Sequence, residues 1–254
     1  MNLYFTQIKY FSLFLIICCF FNCSNSDKES YEENNFTNYD ITPILSKFVG
    51  NGLSYQTSSN RVIFTTDDLP NHTSPYWEES NPLYDNYRGS NPDFNLNPNR
   101  ILSQNITFSV PLFPSEASNH SPTPLGAMGI SRNGVVFYNQ YAGPDVPLTR
   151  EINSFDQWLG HPQRLGAYHY HIEPKYLTDQ FGQDAFLGIL ADGFPVYGPI
   201  ENGEILSSSD LDLYHGHISP TNDFPEGIYH YHVTSDDPYI NGSGFYGTPG
   251  NISN

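Results

Sequence analysis

The sequence predicts a mainly β fold: a single domain of two related β modules, arranged as a pseudo-two-fold sandwich or barrel-like body with few short helices. Three observations predict it. From about Ile44 onward the chain is dense in Gly, Pro, Asn and aromatic residues, with no long stretch of helical periodicity. Two pairs of hairpin-turn type, Asn133-Gly134 and Asp192-Gly193, are each followed by an apolar run. The tetrapeptide Tyr-His-Tyr-His occurs twice, at 168–171 and at 229–232.

The first 22 residues are read as a signal peptide and excluded from the fold. Lys9 supplies a positive start, and Tyr10 to Phe21 form an apolar run too short to span a bilayer. The run ends at Phe20-Phe21-Asn22-Cys23 and passes at once into the polar Ser24-Asn25-Ser26-Asp27. This resembles a bacterial lipoprotein signal, which implies a lipidated Cys23, attachment to the membrane through that lipid, and residence in the cell envelope at the outer membrane or its periplasmic face. A conventional signal peptide, with secretion, is the alternative. Asn22 is bulkier than the small residue usual before such a cysteine. Residues 23–45, polar and rich in Asn and Glu, read as a flexible tether, and 46–254 as the β domain.

All three cysteines, Cys18, Cys19 and Cys23, lie in or next to this leader, so the body has neither a disulfide nor a thiolate. The whole chain has 10 cations against 27 acids, a net charge of −17. Such a field repels phosphate backbones, which excludes nucleic acid as a partner, and favours cations.

Within the body, Ile106, Phe108, Val110 and Leu112 alternate with other residues, the signature of a half-buried strand. The two turn pairs predict type I′ hairpins whose sequences align: Gly129 to Tyr138 matches Gly188 to Tyr197. Each hairpin is followed by a Gly-His pair, Gly160-His161 or Gly216-His217, and then by Tyr-His-Tyr-His. A unit of about 60 residues is therefore expected twice, at approximately 126–171 and 185–232. Pro195 predicts an edge position or a bulge, because proline cannot donate to a ladder.

Seven of the nine histidines fall between His161 and His232. Alternation along a strand puts both imidazoles of each Tyr-His-Tyr-His on one face and both phenols on the other. The tyrosines Tyr168, Tyr170, Tyr229 and Tyr231 are then expected in the core. An H-x-H strand plus one more His from its neighbour is a set of three nitrogen donors for a divalent metal. One set is His161, His169 and His171; the other is His217, His230 and His232, with His215 as an extra ligand or supporting partner. Asp192 and Asp212 are candidates to orient an imidazole or to ligate. The donors favour zinc or copper, or Fe²⁺ if a carboxylate joins. Two readings without metal compete: a carbohydrate or other ligand-binding surface built from the aromatics, with His72 as a further site residue, and a two-histidine hydrolase using His217-Ile218-Ser219 and His232-Val233-Thr234. The sequence does not decide between enzyme and binding protein.

The blocks Gly166 to His171, Leu187 to Pro199 and Gly227 to Thr234 resemble the YHYH-domain proteins. The resemblance covers the C-terminal half well and Leu125 to Tyr138 more weakly. It implies this fold but no particular reaction. Family members commonly carry a Cys near Asp210–Asp212 and another near Gly244-Phe245, where this chain has none.

Overall fold

The computed structural model describes residues 38–254, Ser243 excepted. The leader and Cys23 lie outside the described residues. Packing begins earlier than the composition suggests: the Tyr39 and Ile41 amides donate to the carbonyls of Pro114 and Leu112, and Ile41, Ile44 and Leu45 are buried. The expected tether therefore stops short of residue 45, because its last apolar residues form the short helix α1 (Thr42–Leu45), anchored in the core.

The strands follow in chain order: β1 (Leu53–Thr57), β2 (Arg61–Thr66), β3 (Ile106–Pro111), β4 (Ala127–Ser131) and β5 (Val136–Tyr138). Next come β6 (Tyr141–Ala142), β7 (Val146–Pro147), β8 (Gly160–Pro162) and β9 (Tyr168–Tyr170), then helix α2 (Lys175–Phe181). After it run β10 (Phe186–Leu190), β11 (Pro195–Tyr197), β12 (Ile200–Glu201), β13 (Glu204–Ile205), β14 (Gly216–Ser219), β15 (Ile228–His232) and β16 (Asn251–Ser253). The order β1-β2-β3-β16 makes a four-stranded sheet, and β14-β15-β11-β10-β4-β5-β9-β8 an eight-stranded one. Val62, Phe64, Phe108 and Val110 of the smaller sheet lie in the same continuous core as Ile130, Phe137, Ile189 and Val196 of the larger. The fold is mainly β, with two sheets over one core and no closed barrel; among the described residues the larger sheet is open, with β8 and β14 at its edges. No helix among them is long and apolar enough to cross a membrane.

The larger sheet reads the same from either edge to its centre. At the centre β4 and β10 run antiparallel, with Ile130 opposite Ile189. Outward from them β5 pairs in parallel with β9, Phe137 opposite Tyr170, as β11 does with β15, Val196 opposite Tyr231. Each edge strand then pairs antiparallel, β8 on β9 and β14 on β15.

The alternation expected at 106–112 is present, since Ile106, Phe108, Val110 and Leu112 are all buried. Two expectations for the hairpins need correction. Only the glycines of the two turns have positive φ, Gly134 at 91° and Gly193 at 88°, so these are not type I′ turns. Each is a three-residue loop that ends in a left-handed glycine, with the Gly134 and Gly193 amides donating to the Ser131 and Leu190 carbonyls. The Asn and Asp side chains hold this geometry: Asn133 bonds Ser131 and Asn71, and Asp192 accepts from the Phe194 amide. Pro195, in turn, lies on β11 in the sheet interior. The nearby bulge falls in β10, between Phe186 and Gly188, and has a counterpart in β4 between Ala127 and Gly129, so proline is not its cause.

Candidate metal centres

The register brings each histidine triplet together. On β8 and β9, His161 stands directly opposite His169, and His171 follows two residues later on the same face. On β14 and β15, His217 stands opposite His230, with His232 beyond. Opposed residues of an antiparallel pair have Cβ atoms about 4.5–5.5 Å apart, within imidazole reach of a common point.

The Gly-His pairs now have a physical reason. A Cβ on Gly160 would sit 2.5 Å from the Tyr168 phenol oxygen, and one on Gly216 would sit 2.5 Å from that of Tyr229. Each tyrosine crosses its edge-strand glycine to donate to an aspartate five residues ahead of the edge histidine: Tyr168 to Asp156 (2.9 Å) and Tyr229 to Asp212 (3.0 Å). All four motif tyrosines are buried.

A carboxylate completes each triplet. Glu151, His161, His169 and His171 place one ligand atom each within 4.8 Å of all the others, and so do Glu201, His217, His230 and His232. In the first cluster the Nε2 atoms of His161 and His169 are 3.1 Å apart, those of His169 and His171 3.0 Å, and Glu151 Oε1 lies 3.2 Å from His161 Nε2. In the second, Glu201 lies 3.3 Å from His217 Nε2 and 3.5 Å from His230 Nε2. A tetrahedral ion with bonds of about 2.0–2.1 Å holds its ligand atoms roughly 3.3–3.4 Å apart, so the spacing fits a shared cation.

The hydrogen bonds behind the rings fix their tautomers. His169 Nδ1 donates to the Ala167 carbonyl (3.1 Å) and His230 Nδ1 to that of Ile228 (2.9 Å). His171 Nδ1 donates to Asn139 O (2.5 Å) and His232 Nδ1 to Gly198 O (2.7 Å). A carbonyl can only accept, so Nδ1 carries the proton in all four rings and the Nε2 lone pair turns to the centre. Ser154 Oγ gives its hydrogen to the Glu151 carbonyl and so accepts from His161 Nδ1 at 2.7 Å. Lone pairs converging at 3.0–3.1 Å repel one another unless a cation lies between them. In the second cluster the buried Nε2 atoms of His217, His230 and His232 have no hydrogen-bond partner among the described residues. A buried polar atom left so costs about 1–3 kcal/mol.

Charge reinforces the arrangement. Burial and the neighbouring imidazoles push His169 well below the usual range; burial first of all brings His171 and His230 to about 4 and His232 to about 3. Burial opposes ionisation of the two glutamates, but His161 beside Glu151, and Ser219 with the imidazoles beside Glu201, outweigh it and hold both carboxyls below their ordinary value. At neutral pH these four imidazoles are uncharged, with the one proton on Nδ1 and the Nε2 lone pair free beside a carboxylate.

Four candidates stand elsewhere. His215 has positive φ (73°), as does Leu159 at the matching turn, and its Nε2 meets Thr234 Oγ1 at 3.0 Å, away from the cluster. Asp192 accepts from Tyr231 (2.6 Å) and the Gly247 amide, and Asp212 from Tyr229 and the Tyr214 and Gly216 amides. Both aspartates anchor phenols and touch no imidazole, because the tyrosines they hold point to the face opposite the histidines. His72 is buried against Tyr168, Trp158 and Tyr176, with Nε2 3.1 Å from the Tyr170 hydroxyl.

The two readings without metal find less support. The motif tyrosines are core, and the exposed rings Tyr55, Phe113, Tyr141 and Phe181 sit on β1, the loop after β3, β6 and α2. Ser219 bonds Glu201, and Thr234 donates to the Asp236 carbonyl.

Glu151 and Glu201 were not legible in the sequence. Glu151 opens a 3-10 turn, Glu151–Ser154, ten residues before His161, whereas Glu201 lies on β12, sixteen before His217. Different local structures deliver the same carboxylate at different offsets, so aligning the two halves does not match them.

The chain matches the family model for YHYH protein over residues 107–204 and 200–244. No curated protein and no solved structure matches it.

Proposed function

The chain belongs to the YHYH protein family, and from that premise we propose that it binds two divalent metal ions, one in each cluster of three histidines and a glutamate. The observation that carries the reading is the set of Nε2 lone pairs aimed at a common point by backbone carbonyls behind the rings. Three imidazoles and a carboxylate suit Zn²⁺, Fe²⁺ or Cu²⁺, with no soft donor to select Cu⁺. When bound, such an ion supplies Lewis acidity. The protein's own part is to hold the donors in place, keep the imidazoles neutral and exclude competing protons.

The test is metal analysis of full-length protein purified without an affinity tag. About two equivalents are expected, falling to about one in His169→Ala and in His230→Ala and to none in the double variant. Unchanged content in the double variant, or no metal after incubation with Zn²⁺, Fe²⁺ and Cu²⁺ in turn, would overturn the proposal.

We further propose that the protein is a lipoprotein anchored through Cys23 in the cell envelope, a reading supported by the leader sequence. Palmitate labelling of the natural protein that disappears in Cys23→Ala is the expected result. Matching strand order and matching glycines, Gly160 with Gly216 and Gly166 with Gly227, support descent of the two modules from one duplicated unit.

A further inference from the structure

The two clusters share ligands, register and tautomers, but not their surroundings. In the first cluster His161, His169 and His171 are all nearly inaccessible, Ser154 holds the third Nδ1, Phe155 packs 4.8 Å from His161 and 5.8 Å from His171, and Tyr138 stacks on His169 at 3.9 Å. In the second cluster His230 and His232 are equally buried, but the edge-strand His217 side chain is 26% exposed against 3% for His161, while the glutamates run the other way, Glu151 at 29% and Glu201 at 17%. Leu211, which takes the place of Phe155 ahead of the matching aspartate, is only partly buried.

A cavity of about 430 Å³ opens on this second cluster, with Glu201, His230 and His232 in its wall. Much of its remaining wall comes from two segments, a loop that is shorter in the first half and a ribbon whose counterpart there is β6–β7. Seven residues separate His161 from His169, but twelve separate His217 from His230. The longer loop supplies Pro220, Thr221 and Asn222, and the β12–β13 ribbon supplies Asn202 and Gly203. This loop is held in place: the Tyr197 hydroxyl meets Thr221 Oγ1 at 3.1 Å and Asp223 at 2.9 Å, and Asp223 pairs with Lys47 at 2.5 Å.

We propose that the second cluster is an open centre whose ion takes a further donor from an uncharged polar molecule held in this cavity, while the first is a closed centre that serves the fold. The proposal rests on the metal reading above. The ligand class follows from the wall: amide and hydroxyl groups from Asn202, Asn222 and Thr221, the acids Asp184 and Glu201, and no Lys or Arg. An anion would meet like charge there, whereas a neutral molecule with a nitrogen or oxygen donor would find hydrogen-bonding partners.

Cobalt substitution in the full chain tests it, with imidazole as the neutral probe and azide as the anionic one. Two Co²⁺ should bind, and imidazole should alter the visible spectrum of one, binding at least tenfold more tightly than azide. Chelator should remove that same ion in a separate, faster phase. The imidazole response and the fast phase should persist in His169→Ala and Glu151→Gln and vanish in His230→Ala and Glu201→Gln; the glutamate variants keep the test available if a histidine variant does not fold. A response from both ions or from neither, a single release phase, tighter binding of azide, or a response lost with the first cluster would overturn the proposal while leaving two bound ions intact. Failure to retain cobalt at all would overturn the metal reading itself.

Discussion

At the scale of single residues, the site depends on groups that never face it. Tyr231 donates to Asp192 at 2.6 Å, and the same carboxylate accepts the Gly247 amide at 2.9 Å, so one buried aspartate fixes β15 against the C-terminal segment. In Asp192→Ala those donors lose their acceptor, at about 1–3 kcal/mol each. A fall in thermal midpoint with metal content still near two equivalents is expected. Loss of one equivalent from the folded variant would mean that Asp192 acts on the metal after all. Gly216→Ala tests the same phenol face from the edge strand. Its new methyl would lie 2.5 Å from both the Tyr229 hydroxyl and the His230 carbonyl. Overpacking of this kind costs about 1–3 kcal/mol, so denaturant titration should show a lowered midpoint. An unshifted midpoint would mean that β14 moves aside freely.

At the scale of elements, each cluster ties an edge strand to the sheet. β8 and β14 each have one neighbouring strand in the order of the larger sheet, and the histidine each carries faces one on that neighbour. An ion shared across the pair would act as a staple. At 100 times its dissociation constant a ligand stabilises the state it binds by about 2.7 kcal/mol, so chelation should raise amide hydrogen exchange in β8 and β14 by up to about 100-fold while leaving central β4 and β10 little changed. Uniform exchange with and without chelator would count against the staple. This is also where the sequence was most and least readable. The period of two along Tyr168 to His171 and Tyr229 to His232 is enough to assign imidazoles to one face and phenols to the other, and the Gly-His pairs mark the partner strands. Strand order is harder, because the parallel pairings of β5 with β9 and β11 with β15 join segments more than 30 residues apart. Glu151 and Glu201 are hidden for a related reason: they come from connecting segments that differ in length and structure, and no periodicity governs a loop. His215 misled because its spacing from His217 copies the H-x-H pattern, while its left-handed backbone at a turn removes it from strand geometry.

At the scale of the whole molecule, the buried histidines make acid the natural denaturant. His72 and His232 are held near 3, and His171, His215 and His230 near 4, by burial above all; His169 is also well below the usual 6.5. Each is neutral in the fold at a pH where the unfolded chain would protonate it. Below 6.5 the unfolded state therefore binds more protons than the native state, and stability falls as pH falls toward 4, by about 1.4 kcal/mol per pH unit for each net proton. Three buried aspartates oppose this. Burial raises Asp156 and Asp192 to about 6 and Asp68 well above its ordinary value, so the fold takes up protons on them before the unfolded chain does. Six histidines outnumber three aspartates, and Glu151 and Glu201, held below their usual value, add to the histidine side. Urea midpoints of the chelated protein should accordingly drop between pH 6.5 and 4.5. With Zn²⁺ present the midpoints should lie higher than those of the chelated protein, because an ion bound only by the native state stabilises it. His72→Gln, distant from both clusters in sequence, should flatten the slope of the chelated protein by about one proton and leave metal content alone; midpoints constant or rising over that interval would show that the aspartates, not the histidines, set the balance.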